Sequence, residues 1–396
     1  MNRRLLSLDA LRGFDMFWII SGEGIFHGLA NAIMNKHRLV RNPTDWTIAT
    51  DQSLSGLERL LIGISNQLHH SPWNGFSFYD MIFPLFIFIS GVSMPFSYHK
   101  YFQETNSADK TSAKKKLYRA LIKRTLILIL LGMVVNGLFQ WQGYEQTRFA
   151  SVLGRIALAT FFAAVIYLNF SFRAQLIWFS AILLGYCAAM LLIPVPGHGA
   201  GMLTPEGNLS AYIDQLFLPG KLHRKFYDPE GLLSTIPAVC SAMLGIFTGQ
   251  LLKWDAPAYP PKKKAWLMAL SGLLLLAAGL AWNSFFPINK SMWTSSFVLF
   301  AGGWSILLFS LFYYIIDLSG FQKWTKPFLW IGTNSILIYM AAHGLVNFES
   351  TAQFIFGGLI RQVPADWQPA LLWTAVLVLQ LKLLQVLYNK KWFLKI

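Results

Sequence analysis

Long apolar stretches recur along the whole chain, and shorter polar segments separate them. Ten of these stretches have roughly the 20 residues that a helix needs to cross a bilayer. They lie at residues 8–31, 78–97, 118–139, 150–169, 174–193, 230–252, 265–285, 294–317, 327–347 and 367–388. The pattern predicts an all-α integral membrane protein, a polytopic bundle of ten transmembrane helices that form a single domain over residues 1–396.

The composition supports a membrane protein and argues against a nucleic-acid partner. Hydrophobic residues make up 55% of the 396 residues and charged residues only 13%. So few charged residues could not cover the surface of a soluble domain of this size. The net charge of +15 comes from basic residues that concentrate in a few connecting segments. Membrane lipid is therefore the expected partner of these residues.

The distribution of basic residues predicts the orientation in the membrane. If the N-terminus is cytoplasmic, the inner segments hold 17 Lys or Arg in 60 residues and the outer segments hold 10 in 119. Cytoplasmic loops of membrane proteins carry this excess. We expect both termini inside, with 114–116 and 262–264 as the clearest basic clusters.

Two long connections, 32–77 and 194–229, lie on the predicted outer side. The first of them contains leucine and isoleucine residues at helical spacing, which predicts an amphipathic helix on the outer surface. These residues are Leu54, Leu57, Leu60, Leu61 and Ile64. The simplest interpretation of such a helix is an interfacial anchor.

His70 and Asp80 are the strongest candidates for chemistry in this outer region. A histidine titrates near neutral pH, and a carboxylate can fix its tautomer, so such a pair can move a proton. The alternative is that His69 and His70 are solvated loop residues and that Asp80 caps the helix that follows. The pair lacks the ligand set of a zinc site, so we expect no metal.

Ionisable residues inside the predicted spans form a second set of candidates. Asp9, Arg12 and Asp15 share one helical face, as a structural ion pair or as a contact to a ligand. Arg155, near the outer start of the fourth span, needs an anionic or carbonyl partner. The ninth span carries a polar stripe that could serve helix packing or a ligand. Its members are Asn334, Ser335, Tyr339 and His343.

Two further outer segments carry polar residues suited to a carbohydrate. Asp228 and Glu230 precede the sixth span, where they could bind an ammonium group or sugar hydroxyls, or could only cap the helix. Asn289 and Lys290 come near Trp293 at the outer membrane surface. Each signal alone is weak.

Taken in order, these segments resemble the transmembrane acetyltransferase family typified by heparan-alpha-glucosaminide N-acetyltransferase. The matching segments are residues 4–13 (RLLSLDALRG), 70–75 (HSPWNG) with 80–84, 152–156 (VLGRI), 227–233 (YDPEGLL), 287–290 (PINK) with Trp293, and 332–336 (GTNSI) with Tyr339 and His343. They cover nearly the whole chain. The order of six matches is specific, although no single match would be.

The resemblance implies an acetyltransferase that uses cytoplasmic acetyl-CoA and acetylates a glucosamine amine across the membrane. It implies His70 rather than His69 as the active-site residue, and a single acyltransferase domain whose two long outer connections help to form the acceptor side. The implied cofactor-binding residues are Arg12, Arg155, Asn334, Ser335 and His343. The implied substrate-binding residues are Trp73, Asn74, Asp228, Glu230, Asn289 and Lys290.

The family further suggests a homodimer, and the compact chain suggests a bacterial inner membrane, although a lysosomal relative stays open. The sequence departs from the family pattern at His69 and Pro72, and in a longer segment before His70. His70 could act as general base or carry the acetyl group itself. An amino-sugar transporter and an O-acetyltransferase of periplasmic glycans are the rival interpretations.

Overall fold

The computed structural model describes residues 5–40, 54–102, 107–141 and 143–394. Contacts within the chain divide it into two units. The first unit contains Met1–Pro72, Phe76–Ile82 and Ile315–Lys395, and the second contains Trp73–Gly75 and Phe83–Tyr314. The boundary therefore runs through the His70 motif and through the helix that follows it.

All regular elements of the described residues are helical. The α-helices are α1 (Leu6–Phe17), α2 (Glu23–His37), α3 (Gly56–Gln67), α4 (Phe78–Phe102), α5 (Ser107–Val135), α6 (Val152–Asn169), α7 (Phe172–Leu192), α8 (Leu209–Phe217), α9 (Leu232–Lys253), α10 (Pro261–Trp282), α11 (Ser295–Phe312), α12 (Lys326–Thr333), α13 (Ser335–Met340), α14 (Phe348–Ile360) and α15 (Gln368–Asn389). The predicted all-α fold class is confirmed.

Among the described residues, seven helices are long and apolar enough to cross a membrane, and an eighth span results if one bent pair of helices is counted. The seven are Phe78–Tyr98, Val152–Asn169, Phe172–Leu192, Leu232–Lys253, Pro261–Trp282, Ser295–Leu318 and Ala365–Asn389. The chain is thus a multi-pass, all-α membrane protein. The count of ten spans and the inside location of both termini stay predictions.

Helices of the first unit approach one another closely at glycines. A Cβ atom on Gly13 of α1 would lie 1.8 Å from the carbonyl oxygen of Phe328 in α12, and one on Gly332 would lie 2.0 Å from that of Asp9. These two positions admit only glycine without a backbone shift. Small residues at such contacts are typical of membrane helices, which gain stability by packing.

The second unit uses the same principle where α4 meets α9. A Cβ atom on Gly91 would lie 2.1 Å from the carbonyl oxygen of Ala242, and one on Gly245 would lie 2.0 Å from that of Phe88. The two backbones therefore touch at a pair of facing glycines. This contact fixes the position of the helix that begins just after the His70 motif.

The amphipathic helix predicted in the first outer connection is α3. Ser55 and Glu58 form a reciprocal capping box at its start, which satisfies two backbone amides. Ile62 is buried, whereas Leu57 and Leu60 are exposed. The leucines form an apolar outer face, and its attachment to the membrane surface stays a prediction.

Helices of the first unit leave regular α geometry at several places. π-Helical turns lie at Trp18–Gly22 and Ala341–Leu345, and a further π-helix, Tyr313–Leu318, begins in the second unit and ends in the first. A bend of 68° at Asn334 separates α12 from α13. Single π-turns occur often at functional sites, because they redirect side chains at a cost in regular hydrogen bonding. The irregular turns therefore make the first unit a candidate for a ligand site.

Candidate functional site

His70 and Asp80 form a hydrogen-bonded pair within the first unit. His70 lies in the segment before α4, and Asp80 lies in the first turn of that helix. The Nδ1 atom of His70 is 2.8 Å from Oδ1 of Asp80. The His70 side chain is 51% exposed, whereas that of Asp80 is 1% exposed. A buried carboxylate thus orients an imidazole that solvent can reach.

The second carboxylate oxygen of Asp80 caps the start of α4. Oδ2 accepts hydrogen bonds from the backbone amides of Ser71 and Ser77, both at 3.1 Å, and from the Ser77 hydroxyl. The two alternatives for Asp80, a helix cap and a partner of histidine, therefore both hold. Because four groups converge on one carboxylate, its position is determined independently of any substrate.

His69 has surroundings unlike those of His70. Its ring stacks on His27 of α2, with centroids 4.1 Å apart and planes 15° from parallel. His27 in turn lies 2.8 Å from the hydroxyl of Ser65 in α3, measured from Nδ1. The stack joins two helices to the loop before α4, which gives the second histidine a structural role.

Tyr79 and Glu23 extend the surroundings of His70 further into the first unit. The Tyr79 ring lies 4.8 Å from the His70 ring, measured between centroids. The Tyr79 hydroxyl shares a hydrogen bond with the carboxylate of Glu23 in α2. Sequence reasoning missed both residues. An acid inside an apolar stretch was the only available signal for Glu23.

In the second unit, the remainder of the His70 motif binds the loop before α11. The side-chain amide of Asn289 donates to the backbone oxygen of Trp73 at 2.9 Å and to the side-chain oxygen of Asn74 at 3.1 Å. The Trp73 indole donates to the backbone oxygen of Leu203 at 2.8 Å. Three predicted substrate-binding residues are therefore brought together, and they hold one another. Lys290 follows them in the same loop.

Asp228 and Glu230 form a cluster with Arg148, which sequence reasoning did not single out. Arg148 donates to both oxygens of Asp228, at 2.8 and 2.5 Å, and also to Glu230. Asp228 further accepts the backbone amides of His223 and Glu230. Burial alone would raise the pKa of Asp228, but the hydrogen bonds from Arg148 outweigh it and hold that pKa below its usual value.

Asp214 of α8 lies beside this cluster and behaves differently. It is buried and accepts the backbone amide of Leu232 at 2.8 Å, which caps the start of α9. Burial raises the pKa of Asp214 to about 7. Without an arginine paired directly to it, this carboxyl is partly protonated near neutral pH.

Arg155 is the most deeply buried cation among the predicted cofactor-binding residues. Its side chain donates from Nη2 to the backbone oxygen of Gly231 and to the Ser234 hydroxyl, and its guanidinium lies 4.9 Å from the centroid of the Trp293 ring. In the part of the chain that the structure describes, its Nε and Nη1 atoms have no hydrogen-bond partner. Such donors suit an anionic group or bound water.

The other predicted cofactor-binding residues lie in the first unit, in separate surroundings. Arg12 is 3.4 Å from Asp9, in the predicted ion pair. Both polar atoms of the Asn334 side chain bind the C-terminal segment, at Trp392 and Leu394, and Ser335 is buried beside it. His343 stacks on Tyr339 and lines a cavity of about 560 Å³. In the predicted polar stripe, Asn334 therefore holds the C-terminal segment, whereas His343 faces the cavity.

No three His, Cys, Asp or Glu side chains of the described ranges converge in a way that would hold a metal ion. The fold and the site together define a multi-pass, all-α membrane protein with an exposed histidine oriented by a buried acid. Such a pair can move a proton to or from a bound substrate. Similar proteins of known activity restrict the possible functions of such a protein further.

Two known proteins are similar to this chain, and both carry the name of the acetyltransferase whose family the sequence motifs resemble. Heparan-alpha-glucosaminide N-acetyltransferase of Mus musculus is 27% identical over 381 residues, covering 83% of this chain and 56% of the relative. The protein of the same name from Homo sapiens is 27% identical over 337 residues, covering 70% of this chain and 49% of the relative. The chain spans about half the length of these relatives, and no protein-family model matches it. It is a distant relative of these acetyltransferases.

Proposed function

We propose that this protein is a transmembrane N-acetyltransferase that transfers an acetyl group from acetyl-CoA to the amine of a glucosamine-type sugar. The His70–Asp80 pair carries the proposal, because it supplies an oriented imidazole at 2.8 Å from a buried carboxylate. The names of the two relatives support the reaction class. The predicted orientation would put the donor in the cytoplasm and the acceptor on the outer side of a bacterial inner membrane.

His70 would act as a general base in the direct route. When Nδ1 donates its proton to Asp80, the lone pair lies on Nε2. Nε2 removes a proton from the acceptor amine as its nitrogen attacks the thioester carbon. A C–N bond forms, the C–S bond breaks, and the imidazolium returns the proton to the leaving thiolate. Positioned acid–base catalysis of this kind contributes roughly 10²- to 10⁴-fold.

A two-step route uses the same atoms. Nε2 attacks the thioester carbon, the C–S bond breaks, and a proton released from Nδ1 neutralises the CoA thiolate. The amine then attacks the acetyl carbon, the bond between that carbon and Nε2 breaks, and the amine proton returns to the imidazole. This route predicts ping-pong kinetics and an acetylated enzyme in the absence of acceptor. The direct route requires both substrates to be bound together.

Arg12 and Arg155 are the cationic candidates for holding the donor. Arg12 lies on the predicted cytoplasmic side, where the phosphates of acetyl-CoA would bind, and it is only partly covered beside Asp9. Arg155 lies on the predicted outer side and offers two buried nitrogen atoms to an anion or to a carbonyl oxygen. Asn334 and Ser335 would contribute by holding the C-terminal segment. A homodimer remains part of the proposal.

The test compares purified wild-type protein with His70→Ala, supplied with radiolabelled acetyl-CoA and glucosamine. We expect labelled N-acetylglucosamine to form at least roughly 100-fold more slowly in the variant. His198→Ala, which removes an exposed histidine of an outer loop, is the matched control and should retain full activity. Equal rates in wild type and His70→Ala would exclude the assigned role.

The same assay separates the rival functions. Label recovered in an ester, which hydroxylamine cleaves, rather than in an amide would indicate O-acetylation. No transfer by the wild type, together with uptake of glucosamine into proteoliposomes, would indicate a transporter.

A further inference from the structure

The first unit contains a cavity of about 560 Å³ that has no role in the chemistry proposed at His70. Two π-helical turns of this unit, Trp18–Gly22 and Ala341–Leu345, contribute to its wall, and α15 closes another side. Its size lies within the range of small-molecule sites. Two irregular turns that meet at one space are better explained by a ligand than by packing alone.

The chemistry of the lining selects for a cationic, hydroxylated ligand. The carboxylates of Glu23 and Glu349 both line the cavity, while neither Lys nor Arg occurs among its described lining residues. This charge disfavours the phosphates of a CoA molecule and favours an ammonium group. His343, Asn347 and Gln380 supply hydrogen-bonding groups for hydroxyls.

An aromatic wall completes this lining. Trp373 of α15 borders the cavity and packs against α2, where a Cβ atom on Gly24 would lie 2.4 Å from the indole ring. The glycine therefore holds the indole in one position. A fixed aromatic face packs well against the apolar face of a sugar ring, and it loses little conformational freedom on binding.

The acids of the second unit are less suited to an amine. Asp228 and Glu230 already share the guanidinium of Arg148, so their charge is balanced within the protein. An additional ammonium group would have to compete with that arginine. Glu349 differs, because it is exposed at the first turn of α14.

A short path of contacts connects the cavity with the His70–Asp80 pair. Glu23 lines the cavity and shares a hydrogen bond with the Tyr79 hydroxyl. The Tyr79 ring lies 4.8 Å from that of His70. One side chain thus separates the acidic wall from the imidazole.

From these contacts we infer that the cavity binds the amine-bearing acceptor as it enters, with Glu23 and Glu349 holding its ammonium group and Trp373 covering its ring. The ammonium group releases one proton to Glu23, and the neutral amine then moves past Tyr79 to within reach of His70. Tyr79 is thus a positioning residue between the entry position and the base. The inference rests on the proposed function for the reaction that follows binding, but binding itself is measurable without any reaction.

The experiment measures equilibrium binding of radiolabelled glucosamine to purified protein without acetyl-CoA, and then steady-state kinetics with both substrates. For Glu349→Gln we expect Kd and KM for glucosamine to rise roughly 10- to 100-fold, because a charge-assisted hydrogen bond is lost. KM for acetyl-CoA should stay within about twofold of the wild-type value, because the donor does not contact Glu349. Glu349→Asp should restore part of the affinity.

Controls separate the acceptor site from folding and from the proposed reaction. Glu206→Gln removes an exposed glutamate outside the cavity and should bind like the wild type. N-acetylglucosamine, which lacks the ammonium group, should bind weakly to all variants. The thermal unfolding midpoint of Glu349→Gln should match that of Glu206→Gln.

The two proposals fail in different ways. Acetyl transfer by the wild type with unchanged glucosamine affinity in Glu349→Gln would overturn the acceptor site and leave the reaction standing. Glucosamine binding that Glu349→Gln weakens, without any acetyl transfer, would support the site and overturn the acetyltransferase.

Discussion

Two buried aspartates at helix starts show how similar local positions lead to different roles. Asp80 in the first turn of α4 and Asp228 before α9 each accept two backbone amides through their carboxylates. They differ in the side chain that each one holds. Asp80 contacts His70, which is 51% exposed, whereas Asp228 contacts Arg148, which is 17% exposed.

The partner determines what each cluster can do. An imidazole changes its charge near neutral pH and can exchange a proton with a substrate. A guanidinium stays charged, so Arg148 can stabilise a negative charge but cannot act as a base. The same carboxylate geometry therefore orients an exposed imidazole in the first unit and closes an ion cluster in the second.

The largest effect should come from breaking the closed cluster. We expect Asp228→Ala to destabilise the protein by about 3–5 kcal/mol, because it leaves a largely buried guanidinium without its bidentate partner. Unfolding followed by tryptophan fluorescence in detergent measures this loss. Asp255→Ala, an exposed aspartate, is the control. If the Asp228→Ala variant kept its stability but lost acetyl transfer, Asp228 would serve the reaction. The proposed difference between the Asp80 pair and the Asp228 cluster would then be wrong.

The next effect separates the two functions of Asp80. An asparagine at this position keeps an oxygen for the amides of Ser71 and Ser77, but its NH₂ group cannot accept the proton of His70. We expect Asp80→Asn to slow acetyl transfer roughly 100-fold, since the wrong tautomer is favoured. The unfolding free energy should fall by only about 1 kcal/mol, because the cap oxygen remains and the loss is that of one side-chain hydrogen bond. A larger loss of stability than of activity would make Asp80 structural.

A third effect uses the pH dependence of Asp214. Its pKa is raised to about 7 in the folded protein, so the folded state binds a proton that the unfolded state has released. Stability from this group is greatest below pH 4 and falls as pH rises to about 7. Across pH 5 to 7 we expect a loss of about 1–2 kcal/mol that Asp214→Asn abolishes.

The pKa of Asp228 is shifted in the opposite direction, so the pH dependence of stability distinguishes the two carboxyls. Its lowered pKa gives stability that is present above the usual aspartate range and is lost only as pH falls below it. Within pH 5 to 7 it does not titrate. A wild-type profile that is flat in this range, or one that rises, would contradict the protonation assigned to Asp214.

The smallest effect concerns the second histidine. His69→Ala removes the stack on His27 and should cost about 0.5–1.5 kcal/mol, the usual contribution of an aromatic pair. The rate of acetyl transfer should change by less than about threefold, because the stack is needed for the loop rather than for the proton. A loss as large as that of His70→Ala would mean that the two histidines share the reaction.

Prediction from sequence succeeded where the deciding interactions are local. Apolar length alone predicts most of the helices, and His70 and Asp80 are ten residues apart across one helix start. From sequence, a helix cap and a histidine partner were alternative roles for Asp80. The structure shows both, because one carboxylate oxygen contacts His70 and the other caps α4. The site roles of the remaining predicted residues stay predictions.

Prediction failed where partners come from distant parts of the chain. Arg148 is separated from Asp228 by 80 residues, and Asn334 binds a backbone group 58 residues away. The first predicted span also contains a π-turn between α1 and α2, which its sequence did not indicate. Neither composition nor spacing specifies such contacts, since many polar residues could satisfy the same groups.

The sequence by itself determined the helical fold class and the membrane environment, because both depend on hydropathy, and it singled out His70 and Asp80 as a candidate pair because they are close along the chain. Only the tertiary structure decided that Asp228 and Glu230 belong to Arg148 and that Glu23, His343 and Trp373 surround one cavity. The physical reason is that a charge or a cavity acquires its role from the groups packed around it, and packing brings those groups together from segments that the sequence keeps apart.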